Sequence, residues 1–267
     1  YHIVTGLKTA SSQTLYRDGQ LDEVQSNSTS LSLGSENIYM GTSDGTASGG
    51  WQGNMAEVIV FRRALDTAER LMVNNYLAAK YNLSLTGSYD KYEGDQPGKG
   101  NYDFDVVGIG VLSGNSHLLS NSSGVRITDA GSTIDEGEFV FIGHDNTYNQ
   151  VDTTEMASGI EARWARNWYM DTTGVDGMNV KISFDMSEGI EGSQPGEPAN
   201  YVLLYRNTAS GDFSQVNVSN KTIENTDQVA FEVQDADLKE GYYTLGTTDK
   251  SNSPVGGGKT WYSYYEG

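Results

Sequence analysis

Residues 50–81 read GWQGNMAEVIVFRRALDTAERLMVNNYLAAKY, and this stretch decides how the rest of the chain is interpreted. Met55–Phe61 is apolar and β-branched apart from one glutamate, which predicts a strand buried on at least one face. Asp66 and Glu69 then indicate a helix start, because the aspartate can cap free backbone N–H groups and the glutamate suits the first turn. We therefore predict that the strand is followed by one helix, over about 66–81, packed across the end of a sheet.

The predicted helix carries apolar residues at helical spacing, so one stripe of its surface should be buried. The residues that form this stripe in the sequence are Leu65, Met72, Val73, Tyr76 and Leu77.

Short strands are predicted on both sides of the helix. Before it, Arg17-Asp18-Gly19-Gln20 is typical of a tight hairpin turn. After it, apolar runs alternate with turn residues from Tyr102 onward, and Met178–Met186 alternates apolar and polar residues as a half-buried strand does. Such frequent strands without a second long helix predict a β-sandwich.

We therefore predict an all-β protein with a partial jelly-roll β-sandwich, one linking α-helix and a second β-sandwich. The first domain should comprise residues 1–86, including the helix. A polar, glycine-rich linker containing Pro97 should follow at 87–101. The second sandwich should span 102–249, and residues 250–267 should form a linker or the start of another module.

The composition is strongly acidic. The chain has 267 residues with 17 Lys and Arg against 36 Asp and Glu, a formal charge of −19. This charge opposes binding to nucleic acid and to anionic membranes. Cysteine is absent, which excludes disulfides and thiolate metal sites. The sequence contains no run of about 18 apolar residues, so we expect no membrane insertion.

The first third resembles the last part of a laminin G-like, concanavalin A-type jelly roll. The resemblance rests on LYRDGQ at 15–20, IYMG at 38–41 and WQGNMAEVIVF at 51–61, with a helix end typical of bacterial members. Because a complete jelly roll of this type is about twice as long, the resemblance implies that the N-terminal half is missing. We expect that half, or another chain, to cover the apolar faces and strand edges of residues 1–61. Since Tyr1 is not an initiator methionine and no signal peptide is visible, a mature or cleaved fragment is expected.

The second part resembles an uncharacterised β-domain that follows laminin G-like modules in large bacterial surface proteins exported by type IX secretion. The stretches that carry this resemblance are VGIG at 107–110, GHDN at 143–146, RWARNW at 163–168 and GYYTLGT at 241–247. Residues 259–264 resemble the start of a further repeat. The resemblance implies a location outside the cell or on the bacterial cell surface, and it supplies no catalytic residues.

No catalytic pattern is visible in the sequence. Glycosidases of the concanavalin-like fold carry E-x-D-x-E or E-x-D-x-x-E on one strand, and neither pattern occurs here. The nearest acidic runs, Asp135–Glu138 and Asp235–Asp237, have turn-like contexts. The three histidines, at 2, 117 and 144, are isolated, and Gly108-Ile109-Gly110 lacks the third glycine of a nucleotide fingerprint. We therefore predict that the chain is not an enzyme.

The candidate cofactor is calcium, which laminin G-like modules often hold with carboxylate and carbonyl oxygens. Asp44, Asp103 and Asp105 are the candidate ligands.

Tryptophans are the candidate sugar-binding residues. Trp51, beside a glycine-rich loop, is the candidate platform for stacking on a glycan. Trp164 and Trp168 are predicted to lie on one face of a strand with Arg166 between them, which favours a place in the core.

Three functions are compatible with these observations. The first is a non-enzymatic extracellular module for adhesion or structural display within a larger protein. The alternative is a carbohydrate-binding module attached to a polysaccharide-degrading enzyme. A glycoside hydrolase is the third, and it would need a pair of carboxylates at catalytic separation. The missing catalytic spacing and the acidic β-rich modules favour the first.

Overall fold

The computed structural model describes residues 1–29, 52–148, 150–189 and 194–256. The chain divides into two compact units. The smaller contains the described residues among 4–17 and 21–65, and the larger those among 1–3, 18–20 and 66–267. Strands dominate the described structure and one long helix accompanies them, so the predicted all-β fold is confirmed. Among these residues no helix combines the length and apolar character needed to cross a bilayer.

A three-stranded antiparallel sheet lies near the N-terminus. Its strands are β1 (Val4–Lys8), β2 (Ser12–Arg17) and β3 (Gln20–Ser26), in the order β1-β2-β3. Asp18 and Gly19 turn the chain between β2 and β3 with φ values of 50° and 83°. A type I′ hairpin turn requires positive φ at both central positions, so the predicted hairpin is confirmed.

Met55–Phe61, predicted as a buried strand, is not a strand in the described structure. Its apolar side chains at positions 55 and 58–61 are exposed. The prediction is wrong here because β-propensity reports only how well a side chain fits a pleated, half-buried surface. A strand also needs a neighbouring strand for its backbone N–H and C=O groups, which local composition does not provide.

Helix α1 (Thr67–Tyr81) begins and ends as the sequence predicts. The Asp66 carboxylate accepts the Glu69 N–H at 2.9 Å, and the Glu69 carboxylate accepts the Asp66 N–H at 3.0 Å. Together they form a capping box. Asn82 ends the helix in the left-handed region, with φ 51°.

The buried face of α1 differs from the predicted apolar stripe. The buried residues are Ala68, Leu71, Met72, Asn74, Asn75, Ala78 and Ala79, whereas Val73, Tyr76 and Leu77 are half-buried. Leu71 and Met72 share the contact with small and amide side chains, whereas Val73, Tyr76 and Leu77 lie at its margin.

The larger unit is a two-sheet antiparallel sandwich, which confirms the second predicted sandwich. Its strands are β4 (Phe104–Leu112), β5 (Asn115–His117), β6 (Leu119–Ser122), β7 (Val125–Asp129), β8 (Phe139–His144), β9 (Val151–Asp152), β10 (Ala162–Trp164), β11 (Trp168–Thr173), β12 (Val180–Asp185), β13 (Tyr201–Arg206), β14 (Ser214–Gln215), β15 (Asn220–Glu224), β16 (Gln228–Val233) and β17 (Gly241–Thr247). A short helix, α2 (Met186–Gly189), and single 3₁₀ turns at Gly87–Tyr89, Pro198–Asn200 and Asp235–Asp237 complete it.

The nine-stranded sheet has the order β14-β13-β17-β11-β8-β4-β5, with β10 paired to β17 and β9 paired to β10. The five-stranded sheet has the order β15-β16-β12-β7-β6. The two sheets enclose one core, which includes Trp164, Phe184 and Phe231. A second core lies between α1 and the nine-stranded sheet and includes Met72 and Phe141. The larger unit therefore has three layers.

Two glycines of β4 allow the second core to close. A Cβ on Gly108 would lie 2.6 Å from the Phe141 ring and 2.8 Å from Met72 Sδ. A Cβ on Gly110 would lie 2.2 Å from the Phe139 ring. The VGIG stretch is therefore a packing site beneath the helix.

Residues 87–101 belong to the larger unit, which differs from the linker and the domain boundary that the sequence predicts. Tyr92 is buried in the second core and donates to the Tyr102 carbonyl at 2.7 Å. Buried Asn75 also holds the segment: its amide donates to the Tyr89 carbonyl at 2.9 Å and its oxygen accepts the Lys91 N–H at 2.8 Å. These contacts join the segment to the helix and to the start of the sandwich, so a glycine-rich composition does not reveal them.

Trp164 and Trp168 lie on two short strands, where the sequence predicts one. Both strands pair with β17, but Arg163 faces Gly246 while Trp168 faces Tyr243, so the register slips between them. The Thr244 hydroxyl lies 2.9 Å from the carbonyl oxygens of residues 164 and 166, and this contact supports the interruption. The two indoles are fully buried with ring centroids 5.3 Å apart, which confirms their place in the core.

Candidate functional site

A groove of about 310 Å³ lies in the larger unit between α1 and the strands β4 and β6. It is lined by Tyr76 of α1, residues 105–107 of β4 and residues 121–123 at the turn from β6 to β7. Aromatic, carboxylate, amide and hydroxyl groups therefore meet at one place on the molecule.

Asp105 enters this groove because β4 bulges. The pairing of β4 with β8 shifts by one residue between Phe104 and Val107. Within the bulge Asp105 has φ 49°, in the left-handed region. Aspartate tolerates this region better than most residues, and bulges commonly re-aim a side chain.

The imidazole of His144 forms a hydrogen bond with the Asp105 carboxylate and fixes its position. The buried imidazole lies with Nε2 3.1 Å from Asp105 Oδ2, and its Nδ1 accepts the Asn146 N–H at 3.0 Å. Because Nδ1 is an acceptor, the ring proton lies on Nε2 and is donated to Asp105. Both nitrogens are engaged, so His144 positions Asp105 and is not available as a metal ligand or general base in this arrangement.

The electrostatics of the groove favour an ionised Asp105. The hydrogen bond from His144 lowers the pKa of this carboxyl group, and the charges of Arg166 and Lys80 lower it further. Lys80 also donates to the Tyr76 hydroxyl at 2.8 Å. The second carboxylate oxygen, Oδ1, has no hydrogen-bond partner among the described residues. The groove thus presents a fixed, negatively charged acceptor.

The calcium candidates do not form a joint site in the described part of the chain. There, no group of three His, Asp or Glu side chains is placed to share a metal ion. Asp105 is engaged by His144, and burial raises the pKa of the neighbouring Asp103. These two residues therefore do not fit a calcium ion by themselves. Asp44 lies outside the described residues, and calcium binding stays a prediction.

The other predicted site residues are placed as follows. Trp51 lies outside the described residues. The two acidic runs, Asp135–Glu138 and Asp235–Asp237, both form turns as expected. In the first, the Glu136 carboxylate accepts the Ser113 and Gly114 N–H groups at 2.5 and 3.0 Å.

A charge network of two buried arginines and two half-buried carboxylates, which the sequence analysis missed, holds one end of the sandwich. Glu155 Oε2 accepts from Arg206 at 2.7 Å, and Arg163 donates to Asp152 at 2.5 Å. The Phe213 ring lies 4.2 and 5.1 Å from the carbon atoms of the two guanidinium groups. The hydrogen bond from Arg206 lowers the pKa of Glu155. Since these charges pair within the fold, the network is structural.

Acidic groups also attach residues 90–99 to the nine-stranded sheet. Buried Asp171 accepts the Glu93 N–H at 2.5 Å, and burial raises the pKa of Asp171 to about 6. Burial together with the charge of neighbouring carboxylates raises the pKa of Asp95 to about 6. Lys99 pairs with Glu240 at 2.6 Å. Because the pKa values of Asp171 and Asp95 are raised in the folded state, the free energy of unfolding depends on pH through these two groups.

The sequence carries little signal for the groove. Its members lie on a helix, a strand and a turn, and only the bulge and the packing of α1 bring them together. The stretch NSSG at 121–124 has turn-forming residues, but these do not indicate a groove.

In comparisons with known proteins, the two parts of the chain match different family models. Residues 1–69 match a family model described as the concanavalin A-like lectin/glucanases superfamily, in agreement with the laminin G-like resemblance. No curated protein and no solved structure matches the chain. Residues 69–242, more than half of the chain, match a second family model, and the chain therefore belongs to the family described as domain of unknown function DUF8202.

Proposed function

We propose that this chain is a non-enzymatic module for adhesion or structural display outside the cell, within a larger bacterial surface protein. The match to a concanavalin A-like superfamily fits a carbohydrate-binding or structural module. The observation that carries the proposal is the engagement of His144 at both nitrogens. Both imidazole nitrogens are hydrogen-bonded within the fold, so the groove presents a fixed carboxylate that can bind a ligand.

Ion pairs and hydrogen bonds elsewhere in the larger unit support a role in structural display. Glu155 is shared with two arginines, and Asp171 and Glu240 hold a long surface segment on the sheet. Ionisable groups in these places fix loops on the sandwich. A rigid sandwich with an acidic exterior suits display in a salty medium.

The small sheet supports a role in assembly. Val4, Leu21 and Val24 are 61%, 52% and 56% exposed, and every residue of β3 is exposed. Burying apolar side chains of this size is favourable by about 1.5–3 kcal/mol each. We infer that further strands of the same jelly roll cover this sheet; a separate chain would be the alternative occupant. The type IX export route and calcium binding stay predictions.

The proposal is tested by two measurements on the native protein. Antibody raised against the chain should label intact cells of the source bacterium, with a cytoplasmic protein as the negative control. The purified chain should release no reducing ends from a panel of polysaccharides. Labelling that needs permeabilised cells, or hydrolysis that follows the chain through purification, would contradict it.

The second candidate function is a carbohydrate-binding module attached to a polysaccharide-degrading enzyme. It is favoured by the lectin-type superfamily match and by the polar groove beside Tyr76.

A further inference from the structure

We propose that the groove between α1 and β4 binds a neutral saccharide unit, with Asp105, Asn121 and Tyr76 as its contact residues. This site lies in the larger unit and uses none of the sugar-binding or calcium candidates of the first module. The inference rests on the proposed non-enzymatic role only in treating the groove as a binding site.

The size of the groove suits a small ligand. Its volume of about 310 Å³ lies at the lower end of the range of about 300–1,000 Å³ that is typical of small-molecule sites. A saccharide of one or two rings is the scale of molecule that such a groove encloses.

Asp105 supplies a pre-organised acceptor for hydroxyl groups. The bulge fixes its backbone, the Ser122 hydroxyl donates to its carbonyl at 2.6 Å, and His144 holds one carboxylate oxygen. A ligand hydroxyl that donates to the other oxygen would form a charge-assisted hydrogen bond. Since Asp105 is already held in place, binding costs little further ordering of this residue.

The remaining lining matches the two faces of a sugar ring. The exposed amide of Asn121 can both donate and accept, as a row of hydroxyl groups requires. The Tyr76 ring and Val107, both partly exposed, provide apolar surface for the C–H face. Hydroxyl-rich edges and an apolar face on one small molecule are characteristic chemistry of a pyranose.

Charge favours a neutral ligand over an ion. An anion would be repelled by the Asp105 carboxylate and by a chain of net charge −19. A cation would compete with Arg166 and Lys80, whose charges already act on Asp105. A neutral hydroxyl donor is not repelled by the Asp105 carboxylate and does not compete with the two basic side chains.

The test uses the full chain and a panel of neutral sugars. Glucose, galactose, mannose, xylose and N-acetylglucosamine, with their di- to tetrasaccharides, are screened on an array, and hits are measured by calorimetry. We expect at least one to bind. Tyr76→Ala and Asp105→Asn should each weaken that sugar about tenfold or more, because a stacking surface or a charged acceptor is lost.

Asp105→Asn is chosen because asparagine also tolerates the left-handed region, and its side-chain oxygen can still accept from His144. Asp176→Asn is the matched control. Asp176 is exposed and lies three residues after Thr173. Thr173 pairs with Phe139 at one end of β8, whereas His144 is at the other end of that strand. The Asp176→Asn variant should bind the sugar with the same affinity as the wild type. If either groove variant fails to fold, exposed Asn121→Ala serves in its place and should also weaken binding.

Two outcomes would overturn the inference. One is that the folded wild-type chain binds no sugar of the panel. The other is that a sugar binds but the groove variants bind it as well as Asp176→Asn does. Binding with hydrolysis of the bound sugar would instead contradict the proposed non-enzymatic function and leave the groove assignment standing.

Discussion

Asp171 makes the stability of the fold depend on pH. Its carboxyl group is buried against the nine-stranded sheet, where it accepts the Glu93 N–H at 2.5 Å. Burial raises its pKa from 3.8 to about 6, so the folded state binds this proton more tightly than the unfolded state. The stability that this proton contributes is fully present below pH 3.8 and is lost as the pH rises through about 6.

We expect Asp171→Asn to remove this dependence, because the amide keeps an acceptor for the Glu93 N–H and does not ionise. The variant should be more stable than the wild type at pH 7, by at most about 3 kcal/mol, since each pKa unit corresponds to about 1.36 kcal/mol. The difference should shrink towards pH 4. Urea unfolding at pH 4, 5, 6 and 7 measures it. Exposed Asp176→Asn is the control and should follow the wild type; a constant gap between Asp171→Asn and the wild type across this range would contradict the prediction.

At the scale of elements, the contact between α1 and β4 organises the larger unit. Met72 of the helix reaches the sheet directly above Gly108, beside Phe141 of β8. The absence of a side chain at position 108 lets the helix lie on the sheet, and its absence at position 110 leaves room for the Phe139 ring. The same packing aligns Tyr76 with the β4 bulge and so forms one wall of the groove.

Gly108→Ala should therefore destabilise the protein by about 1–3 kcal/mol, the usual cost of overpacking a core. The added methyl would meet the Phe141 ring, which has little room to move in a buried layer. Chemical denaturation with the matched control Gly98→Ala measures the effect, because a Cβ at position 98 has no atom within 4 Å. Equal stability of the two variants would show that the helix lies more loosely on β4 than described.

At the scale of the whole molecule, the two units differ in how much of each is buried. The central strands β8 and β11 of the larger unit are almost wholly buried, whereas each residue of β3 in the small sheet is exposed. Three strands with exposed apolar residues are near the limit of independent stability. Local stability should therefore vary strongly along the chain.

Hydrogen exchange followed by mass spectrometry should detect this difference. We expect amides of β1, β2 and β3 to exchange at least about a hundredfold faster than those of β8 and β11, because opening the small sheet exposes little new apolar surface. In a longer natural form that supplies the rest of the jelly roll, protection of the small sheet should rise. Uniform protection in the isolated chain would argue that this sheet needs no covering strands.

The features that can be predicted from the sequence depend on neighbours along the chain. Capping by Asp66 and Glu69 placed the helix start, the pair Asp18 and Gly19 placed a hairpin, and the alternation in Met178–Met186 placed strand β12. Each follows from local hydrogen bonding or from the period of apolar residues.

The tertiary fold added the features that depend on contacts between separate elements. It attached residues 87–101 to the sandwich through Asn75 and Tyr92, and it divided the strand of Trp164 and Trp168 by a register slip on β17. It also set Asp105 in a groove opposite Tyr76. The physical reason is that these positions are fixed by packing and hydrogen bonds between separate elements, and local propensity contains no information about such partners.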